Sequence, residues 1–366
     1  MNEDKKYWVA LNSVLGESLR QAKRVVDHFV FLPEAFNATE KELASLGLNE
    51  EEVRKMSSPR TLDQACREIE KLERKKYSLL TLEDEGYPAY LREIFDPPFV
   101  LYCAGEVGTL NELAVSIVGA RKPTPYGRAV AEKLAQDLAS RGVIVVSGMA
   151  RGIDSIAHWG ALKGGKTVAV LGSGLENIYP KENGSLFKKI AEKGAVVSEF
   201  PLDSPPYASH FPLRNRIISG LSSALVVVEA SRKSGSLISA RLALEQNREV
   251  MAVPGNITSE LSQGANWLIK TGAKLVESWE DVAEELPPPA RERLLSQKEE
   301  VQENLPLLSE EEAKVLECLR SDTLIHIDEL VERTDFSVSE LLVILLNLEL
   351  KGLILQSPGK YFQRRR

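Results

Sequence analysis

The chain has 366 residues, with 46 lysines and arginines against 53 aspartates and glutamates, a formal net charge of −7. Its 43% hydrophobic and 27% charged residues are typical of globular proteins, and its length predicts two to three domains. No stretch approaches the ~18 apolar residues of a membrane span, and no apolar segment follows the charged start. We therefore exclude membrane spanning and classical secretion, and expect a cytoplasmic protein whose three scattered cysteines are reduced.

The charge is unevenly distributed along the chain. Residues 111–276 carry 20 basic and 13 acidic groups, a net charge of +7, whereas residues 1–110 carry −5 and residues 277–366 carry −9. A basic middle segment between acidic flanks favours an anionic ligand for the middle, although a solvated surface produces such an excess as well.

Residues 1–72 predict a small helical domain. Apolar residues recur at helical spacing from Leu11 to Leu19 and again from Val25 to Val30. Thr39 and Glu42 form a capping-box pattern that begins a further helix. A SAM-like or helix-hairpin-helix module fits this pattern, and so does any other small helical bundle.

Residues 73–285 alternate between short apolar runs and helix-length segments. Six β-branched runs without polar alternation predict buried strands, over residues 115–118, 143–146, 167–171, 195–197, 224–228 and 250–253. Helices are predicted between them, over residues 128–140, 153–162, 185–193, 216–222 and 237–246. This alternation indicates an α/β fold built on a doubly wound parallel sheet.

The C-terminal part predicts a linker and a third domain. Residues 286–308 begin with a proline run and continue as a polar stretch, as linkers do. Residues 309–366 predict three helices, over 310–319, 327–333 and 338–351, and a hairpin, which is the winged-helix pattern. The third helix has no basic residue before Lys351, so we predict that it does not bind a major groove. Its surplus leucines either pack inside this domain or contact another surface.

The loops after the predicted strands are rich in glycine, serine and basic residues. Ligands bind at the carboxyl ends of strands in an open parallel sheet, where glycine-rich backbone, helix N-termini and cations suit a phosphate. One such loop indicates only a tight turn, but five or six at one edge predict phosphate binding. The candidates are Gly119, Arg121, Lys122, Ser147, Gly148, Arg151, Gly152, Lys181, Lys233, Ser234, Gly235 and Ser236, and a further predicted loop contains Arg214, Asn215 and Arg216.

The motifs of nucleotide-hydrolysing enzymes are incomplete. The Walker A string from Gly160 to Thr167 ends a predicted helix and begins a strand, the reverse of a P-loop. His158 stands alone in its helix, and we interpret it as structural. No Cys/His cluster has metal-binding spacing, and no nucleophile elbow follows a strand. The sequence therefore predicts a site that holds an anion without converting it and that needs no cofactor.

Seven motifs, taken in order, resemble the DNA-processing protein A (DprA/Smf) family. They span residues 116–121, 147–158, 172–180, 198–201, 211–218, 234–240 and 253–256, and the resemblance covers about residues 80–280. It implies an extended Rossmann-like core that dimerises, and a cytosolic, non-enzymatic protein that binds and protects incoming single-stranded DNA. Such a protein loads the RecA recombinase onto that DNA during natural transformation, and the single-stranded-DNA-binding protein is a further expected partner.

By motif match, the resemblance implies that Arg121, Lys181 and the loop from Lys233 line a pocket for DNA phosphates. The segment from Phe211 to Arg216 would flank that pocket. The alternative function is a nucleotide-binding sensor or a nucleoside-monophosphate N-glycoside hydrolase with a related fold. The catalytic turn of such hydrolases is replaced here by residues 234–240, although Glu245 remains on the following helix.

Overall fold

The computed structural model describes residues 4–296, 308–321 and 323–364, and the chain divides into two compact units, residues 1–296 and 297–366. The first unit begins with helices α1 (Lys5–Leu15), α2 (Leu19–His28), α3 (Leu32–Ala35), α4 (Glu40–Ser45), α5 (Glu50–Met56) and α6 (Pro59–Lys75). Polar N-caps begin two of them: the Thr39 side chain accepts from the backbone N–H of Glu42, and Asn49 and Glu52 form a full capping box.

These six helices share one hydrophobic core with the sheet that follows. Trp8 of α1 stacks on Phe99 with ring centroids 6.0 Å apart, and Leu11 and Leu15 are fully buried in the same cluster. Asn12 donates from Nδ2 to the Glu199 carbonyl oxygen at 2.8 Å. The helical segment is therefore packed into the first unit; the boundary at residue 72 stays a prediction.

A nine-stranded sheet forms the centre of the first unit. Its strands and helices are β1 (Ser78–Thr81), α7 (Ala89–Arg92), β2 (Val100–Gly105), β3 (Ala114–Val118), α8 (Pro125–Ser140), β4 (Ile144–Ser147), α9 (Ile153–Gly164), β5 (Thr167–Val170), α10 (Gly184–Lys193), β6 (Ala195–Ser198), α11 (His210–Gly220), β7 (Ala224–Val227), α12 (Gly235–Glu245), β8 (Glu249–Ala252), α13 (Gln263–Lys270), β9 (Lys274–Leu275), α14 (Trp279–Glu284) and α15 (Pro288–Ser296). The strand order is β1-β2-β6-β5-β4-β3-β7-β8-β9.

The doubly wound α/β prediction is confirmed, and the sheet is mixed rather than wholly parallel. Strands β3 to β9 pair in parallel, whereas β1 and β2 pair antiparallel to each other, and β2 pairs antiparallel to β6 through Tyr102 and Ser198. Helices α8, α9, α14 and α15 pack on one face, and α7, α11, α12 and α13 pack on the other. Two covered faces explain why the six predicted strands lack polar alternation.

Two segments differ from the sequence prediction. The predicted loop around Arg214 is the first half of helix α11, which includes Pro212 in its first turn, where a missing N–H costs no intrahelical bond. Residues 288–296, predicted as linker, form α15, because a proline suits the first turn of a helix and Leu294 is buried in the core. Residues 297–307 of the predicted linker lie outside the described residues.

The second unit has the predicted winged-helix arrangement. It contains α16 (Glu310–Cys318), β10 (Ile325–His326), α17 (Ile327–Thr334), α18 (Val338–Leu350), β11 (Ile354–Ser357) and β12 (Tyr361–Arg364), with strand order β10-β12-β11. One side of α18 is buried in the core of this unit. On its other side Leu342, Val343, Leu346 and Leu350 are 42–78% exposed, so the described part of the unit does not cover these surplus apolar residues.

No helix in the described part of the chain is both long and apolar enough to cross a bilayer.

Candidate functional site

The order of the parallel strands places a crevice between β3 and β7. From β3 the chain continues through β4, β5 and β6 on one side, and then crosses to β7, β8 and β9 on the other. Ligands bind in open α/β sheets at such a switch point, outside the carboxyl ends of the strands. The loops after β3, β4, β5 and β7 therefore lie next to one another at one edge of the sheet, which we call the phosphate edge.

Besides Arg151 after β4, five exposed basic residues lie in these loops: Arg121 and Lys122 after β3, Lys181 after β5, and Arg232 and Lys233 after β7. Within the described residues none of the five forms an ion pair. Helix α12 begins directly after Ser234, whose side chain accepts from the Ser236 backbone N–H at 3.3 Å. Unpaired cations beside a helix N-terminus make this edge strongly favourable for an anion.

Two aromatic rings lie beside these cations. The Arg121 guanidinium carbon is 5.8 Å from the centre of the Phe211 ring, and that ring is 5.7 Å from the ring of Tyr179. Tyr179 is 44% exposed, whereas Phe211 is half-buried. In the sequence, Phe211 stands out only as the first residue of the segment expected to flank the pocket, because an apolar residue in a polar motif resembles a core residue.

Arg151 lies at this edge as predicted, but a carboxylate already neutralises it. Its Nε and Nη2 donate to the two carboxylate oxygens of Glu182, at 2.6 and 2.8 Å. Both side chains are more than half exposed. The pair can open to a phosphate, at a cost that an unpaired cation such as Arg121 does not incur.

Arg214 is a correction to the predicted DNA contacts. Its side chain is 4% exposed and donates from Nη1 to the carbonyl oxygens of Gly148, at 2.6 Å, and of Val170. Burial lowers the pKa of Arg214 to about 10, against the attraction of Asp154. Arg214 therefore connects the ends of β4 and β5 beneath the phosphate edge and does not reach it.

Arg216 is the second correction, because it is 2% exposed and engaged in a buried ion pair. Its Nη2 lies 2.5 Å from Glu199 Oε2, and its Nε lies 3.3 Å from Asp96 Oδ2. Both arginines were assigned to the site on the assumption of a loop. In helix α11 the side chains of Arg214 and Arg216 face the interior, while Asn215 between them is half-buried.

The small residues of the site shape its backbone. Gly152 has φ +82°, and a Cβ there would overlap the Ala120 carbonyl oxygen, so glycine is required where α9 begins. A Cβ on Gly148 would overlap the Arg214 guanidinium, and one on Gly119 would lie 2.7 Å from Ile153 Cγ1. Ser147 is buried and donates from Oγ to the Ile117 carbonyl oxygen at 2.6 Å.

The remaining predicted residues belong to the loop after β7. Ser234 is half-buried as the N-cap of α12, Gly235 is exposed, and Ser236 is buried. The Ser234 and Ser236 hydroxyls lie 2.7 Å apart. These residues begin the helix whose N-terminus faces the phosphate edge, so their contribution to the site is backbone N–H groups rather than charge.

His158 is buried below the site and is neutral. Its Nδ1 lies 2.7 Å from Thr167 Oγ1, and that hydroxyl donates its own proton to the Val145 carbonyl oxygen, so Nδ1–H is the donor to Thr167. Burial, reinforced by the charge of Arg214, lowers the pKa of His158 to about 3. Burial also raises the pKa of the neighbouring Asp154 carboxyl. Neither group is exposed enough to meet a substrate.

We expect the His158 imidazole to make folding stability pH-dependent. The unfolded chain binds a proton at His158 below about pH 6.5, whereas the folded chain does not until about pH 3, so stability is lost as the pH falls below 6.5. Between pH 7.5 and 4.5 the loss amounts to about 2–3 kcal/mol, at up to ~1.36 kcal/mol per pH unit. Urea unfolding of the wild type and His158→Gln measures the difference, and parallel pH curves for the two proteins would contradict it.

Two family models match the chain. The model described as DNA recombination-mediator protein A matches residues 78–287, and the model described as DprA winged helix domain matches residues 299–360. Protein Smf of Escherichia coli (strain K12) is 42% identical over 303 residues, which are 81% of this chain and 79% of that protein. DNA processing protein DprA of Bacillus subtilis (strain 168) is 43% identical over 210 residues, 57% of this chain and 71% of that protein.

Two solved structures are similar to the structure of this chain. The X-ray structure of DNA processing protein A from Streptococcus pneumoniae has a TM-score of 0.65 at 34% identity, over 77% of this chain and 98% of that chain. A structure of DNA processing protein A from Helicobacter pylori, whose subject is a single-stranded DNA binding mode, has a TM-score of 0.52 at 35% identity, over 57% and 94%. With the motifs, fold and winged helix in agreement, this chain belongs to the DprA/Smf family of DNA-processing proteins.

Proposed function

We propose that this protein binds single-stranded DNA along the phosphate edge and acts as a recombination mediator. In this role it protects incoming single strands and loads the RecA recombinase onto them during natural transformation. The observation that carries the proposal is the set of five exposed basic residues at the phosphate edge that form no ion pair with any residue the structure describes. Such cations neutralise successive phosphates without reading the bases.

The aromatic rings at this edge favour a single strand over a duplex. Bases of a single strand can turn away from the backbone and stack on a side chain, whereas bases in a duplex are already stacked. Tyr179 is exposed enough to receive a base, and its ring contacts the half-buried Phe211 ring at a centroid distance of 5.7 Å. The single-stranded DNA binding mode in the Helicobacter pylori relative's structure supports the same choice.

We infer that the protein needs no catalytic step and no cofactor for this role. Asp154, His158 and Glu229, which lie in or next to the loops of this edge, are all buried, and the Glu229 carboxylate already accepts from the Thr124 backbone N–H and hydroxyl. The rest of the proposal follows the family: a cytoplasmic homodimer through the core, with RecA and the single-stranded-DNA-binding protein as partners. Exposed apolar side chains on α12 and α13, among them Leu244 and Trp267, are consistent with a core interface.

Side-by-side titrations test the substrate form. We expect this protein to bind a single-stranded oligonucleotide at least about tenfold more tightly than the duplex of the same length, or ~1.4 kcal/mol, at one salt concentration. Equal affinities would contradict the proposal. Incubation with nucleoside monophosphates is the control for the hydrolase alternative, because released base would reveal an enzyme.

A filament-nucleation assay tests the mediator role. RecA is added to single strands that are already coated with the single-stranded-DNA-binding protein, and nucleation of RecA filaments is timed with and without this protein. Faster nucleation supports RecA loading. Tight DNA binding without faster nucleation would leave a DNA-binding protein whose partner is not RecA.

We predict that the winged-helix unit contributes little to single-strand binding. Residues 297–366 carry 9 basic and 14 acidic groups, a net charge of −5, and α18 presents leucines where phosphate contacts would need cations. Removing residues 297–366 should therefore change the single-strand affinity by less than about twofold, ~0.4 kcal/mol. The isolated unit, which has its own core, should not bind duplex DNA at physiological salt. Micromolar duplex binding by that unit would contradict the prediction.

A further inference from the structure

A strip of basic and aromatic residues lies beside the phosphate edge, on the outer side of α9 and α10. Lys181 continues through a short 3-10 helix directly into α10, where Lys188 and Lys189 are exposed. The Lys189 Nζ atom lies 4.8 Å from the ring centre of Trp159 on α9, and that ring is half-buried. We call Lys188, Lys189 and Trp159 the α10 strip.

The α10 strip differs from its surroundings in charge pairing. Neighbouring cations are neutralised: Lys163 contacts Glu132, and Lys166 contacts both Glu106 and Glu112 at 2.9 and 3.1 Å. Lys188 and Lys189 form no ion pair within the described residues. Lys193 of the same helix donates to the Leu162 carbonyl oxygen at 3.3 Å, so within the described residues Lys188 and Lys189 are the lysines of α10 bound to neither a carboxylate nor a backbone oxygen. The pattern continues that of Lys181 at the phosphate edge.

The geometry makes the strip continuous with that edge. Lys181 and Lys188 are seven residues apart, about two helical turns, so they lie on one side of the segment and about 11 Å apart along it. Trp159 supplies a ring face next to these cations. Cations that follow the backbone, with an aromatic ring for a base, are the combination by which proteins bind single strands without sequence preference.

We propose that single-stranded DNA bound at the phosphate edge continues over the α10 strip. Lys188 and Lys189 contact backbone phosphates there, and Trp159 contacts a base. This inference rests on the proposed function and extends it, because it makes the site longer than the crevice between β3 and β7. A short oligonucleotide fills the crevice alone, whereas a long one reaches the strip.

Oligonucleotide length separates the two parts of the site. The full-length protein is titrated with dT6 and dT20 as the wild type, as Lys188→Ala/Lys189→Ala, and as the matched control Lys163→Ala/Lys166→Ala. For Lys188→Ala/Lys189→Ala, the strip variant, we expect the dT20 affinity to fall about 25-fold near 0.1 M salt. Its slope of log affinity against log salt should fall by about 1.4, at ~0.7 for each of the two lost phosphate contacts. Its dT6 affinity should change by less than about twofold. The control should bind both as the wild type does.

Three outcomes are decisive. A wild type that binds neither oligonucleotide contradicts the proposed function itself. If the wild type binds both oligonucleotides and the strip variant keeps its dT20 affinity, this inference alone is overturned. The same holds if the strip variant loses affinity for dT6 and dT20 equally. For Trp159, tryptophan emission should be quenched by dT20 more than by dT6, and Trp159→Phe should remove that difference. An undiminished difference in Trp159→Phe, checked for an unchanged thermal unfolding midpoint, overturns the role of the ring.

Discussion

Replacing both Arg121 and Lys181 with alanine is expected to weaken single-strand binding about 25-fold near 0.1 M salt. Each side chain is exposed and free of an ion pair in the described structure, so each is available to displace counterions from one phosphate. Loss of one phosphate contact lowers the slope of log affinity against log salt by about 0.7 for a single strand. Two losses therefore remove about 1.4 from the slope, which is about 25-fold in affinity between 1 M and 0.1 M salt.

The salt slope distinguishes this effect from a general loss of fold. Titrations at four or more salt concentrations give the slope for the wild type, the two single variants and the double variant. Lys163→Ala is the matched control, because Lys163 is an exposed cation that already contacts Glu132. Oligonucleotides of different sequence should lose affinity equally, since phosphate contacts carry no base information. Unchanged slopes in both single variants would remove Arg121 and Lys181 from the site.

Much of the site was predictable because topology fixes where loops meet. Apolar runs such as 115–118 and 224–228 identify parallel strands, and the carboxyl ends of parallel strands lie at one edge. Arg121 comes three residues after the end of β3, Lys181 lies in the longer loop after β5, and both are exposed there. Their positions after predicted strands were therefore enough to predict that these cations lie at this edge, without knowledge of any side-chain contact. Strands β1 and β2 were missed because their antiparallel pairing at the end of the sheet leaves no strand-helix alternation in the sequence.

The prediction failed where the direction of a side chain mattered. A segment with proline, two arginines and an asparagine was interpreted as a loop with charges facing solvent. Because Pro212 fits the first turn of α11, the segment is helical, and Arg214 and Arg216 face the interior. Only the three-dimensional structure shows that carbonyl oxygens and the Glu199 carboxylate are there to receive them. Residue type indicates charge, but it does not indicate whether a partner is buried nearby.

Arg216→Ala is expected to destabilise the protein strongly without removing a DNA contact. The substitution leaves the Glu199 carboxylate, which is 4% exposed, without the guanidinium that lies 2.5 Å from it. Breaking a buried ion pair by removing one partner costs about 3–5 kcal/mol. Arg151→Ala is the matched control: its pair with Glu182 is more than half exposed and screened by solvent, so its loss should cost far less stability.

Two measurements on Arg216→Ala separate stability from binding. Denaturant unfolding should show the large loss for Arg216→Ala and a small one for Arg151→Ala. Under conditions where the variant is folded, its salt slope for single-stranded DNA should equal that of the wild type, because Arg216 reaches Glu199 and Asp96 rather than solvent. A second variant, Arg216→Met/Glu199→Leu, should recover part of the lost stability, since it removes the buried Glu199 charge and leaves only the partly exposed Asp96 carboxylate without Arg216. A reduced salt slope in folded Arg216→Ala would instead return this arginine to the DNA site.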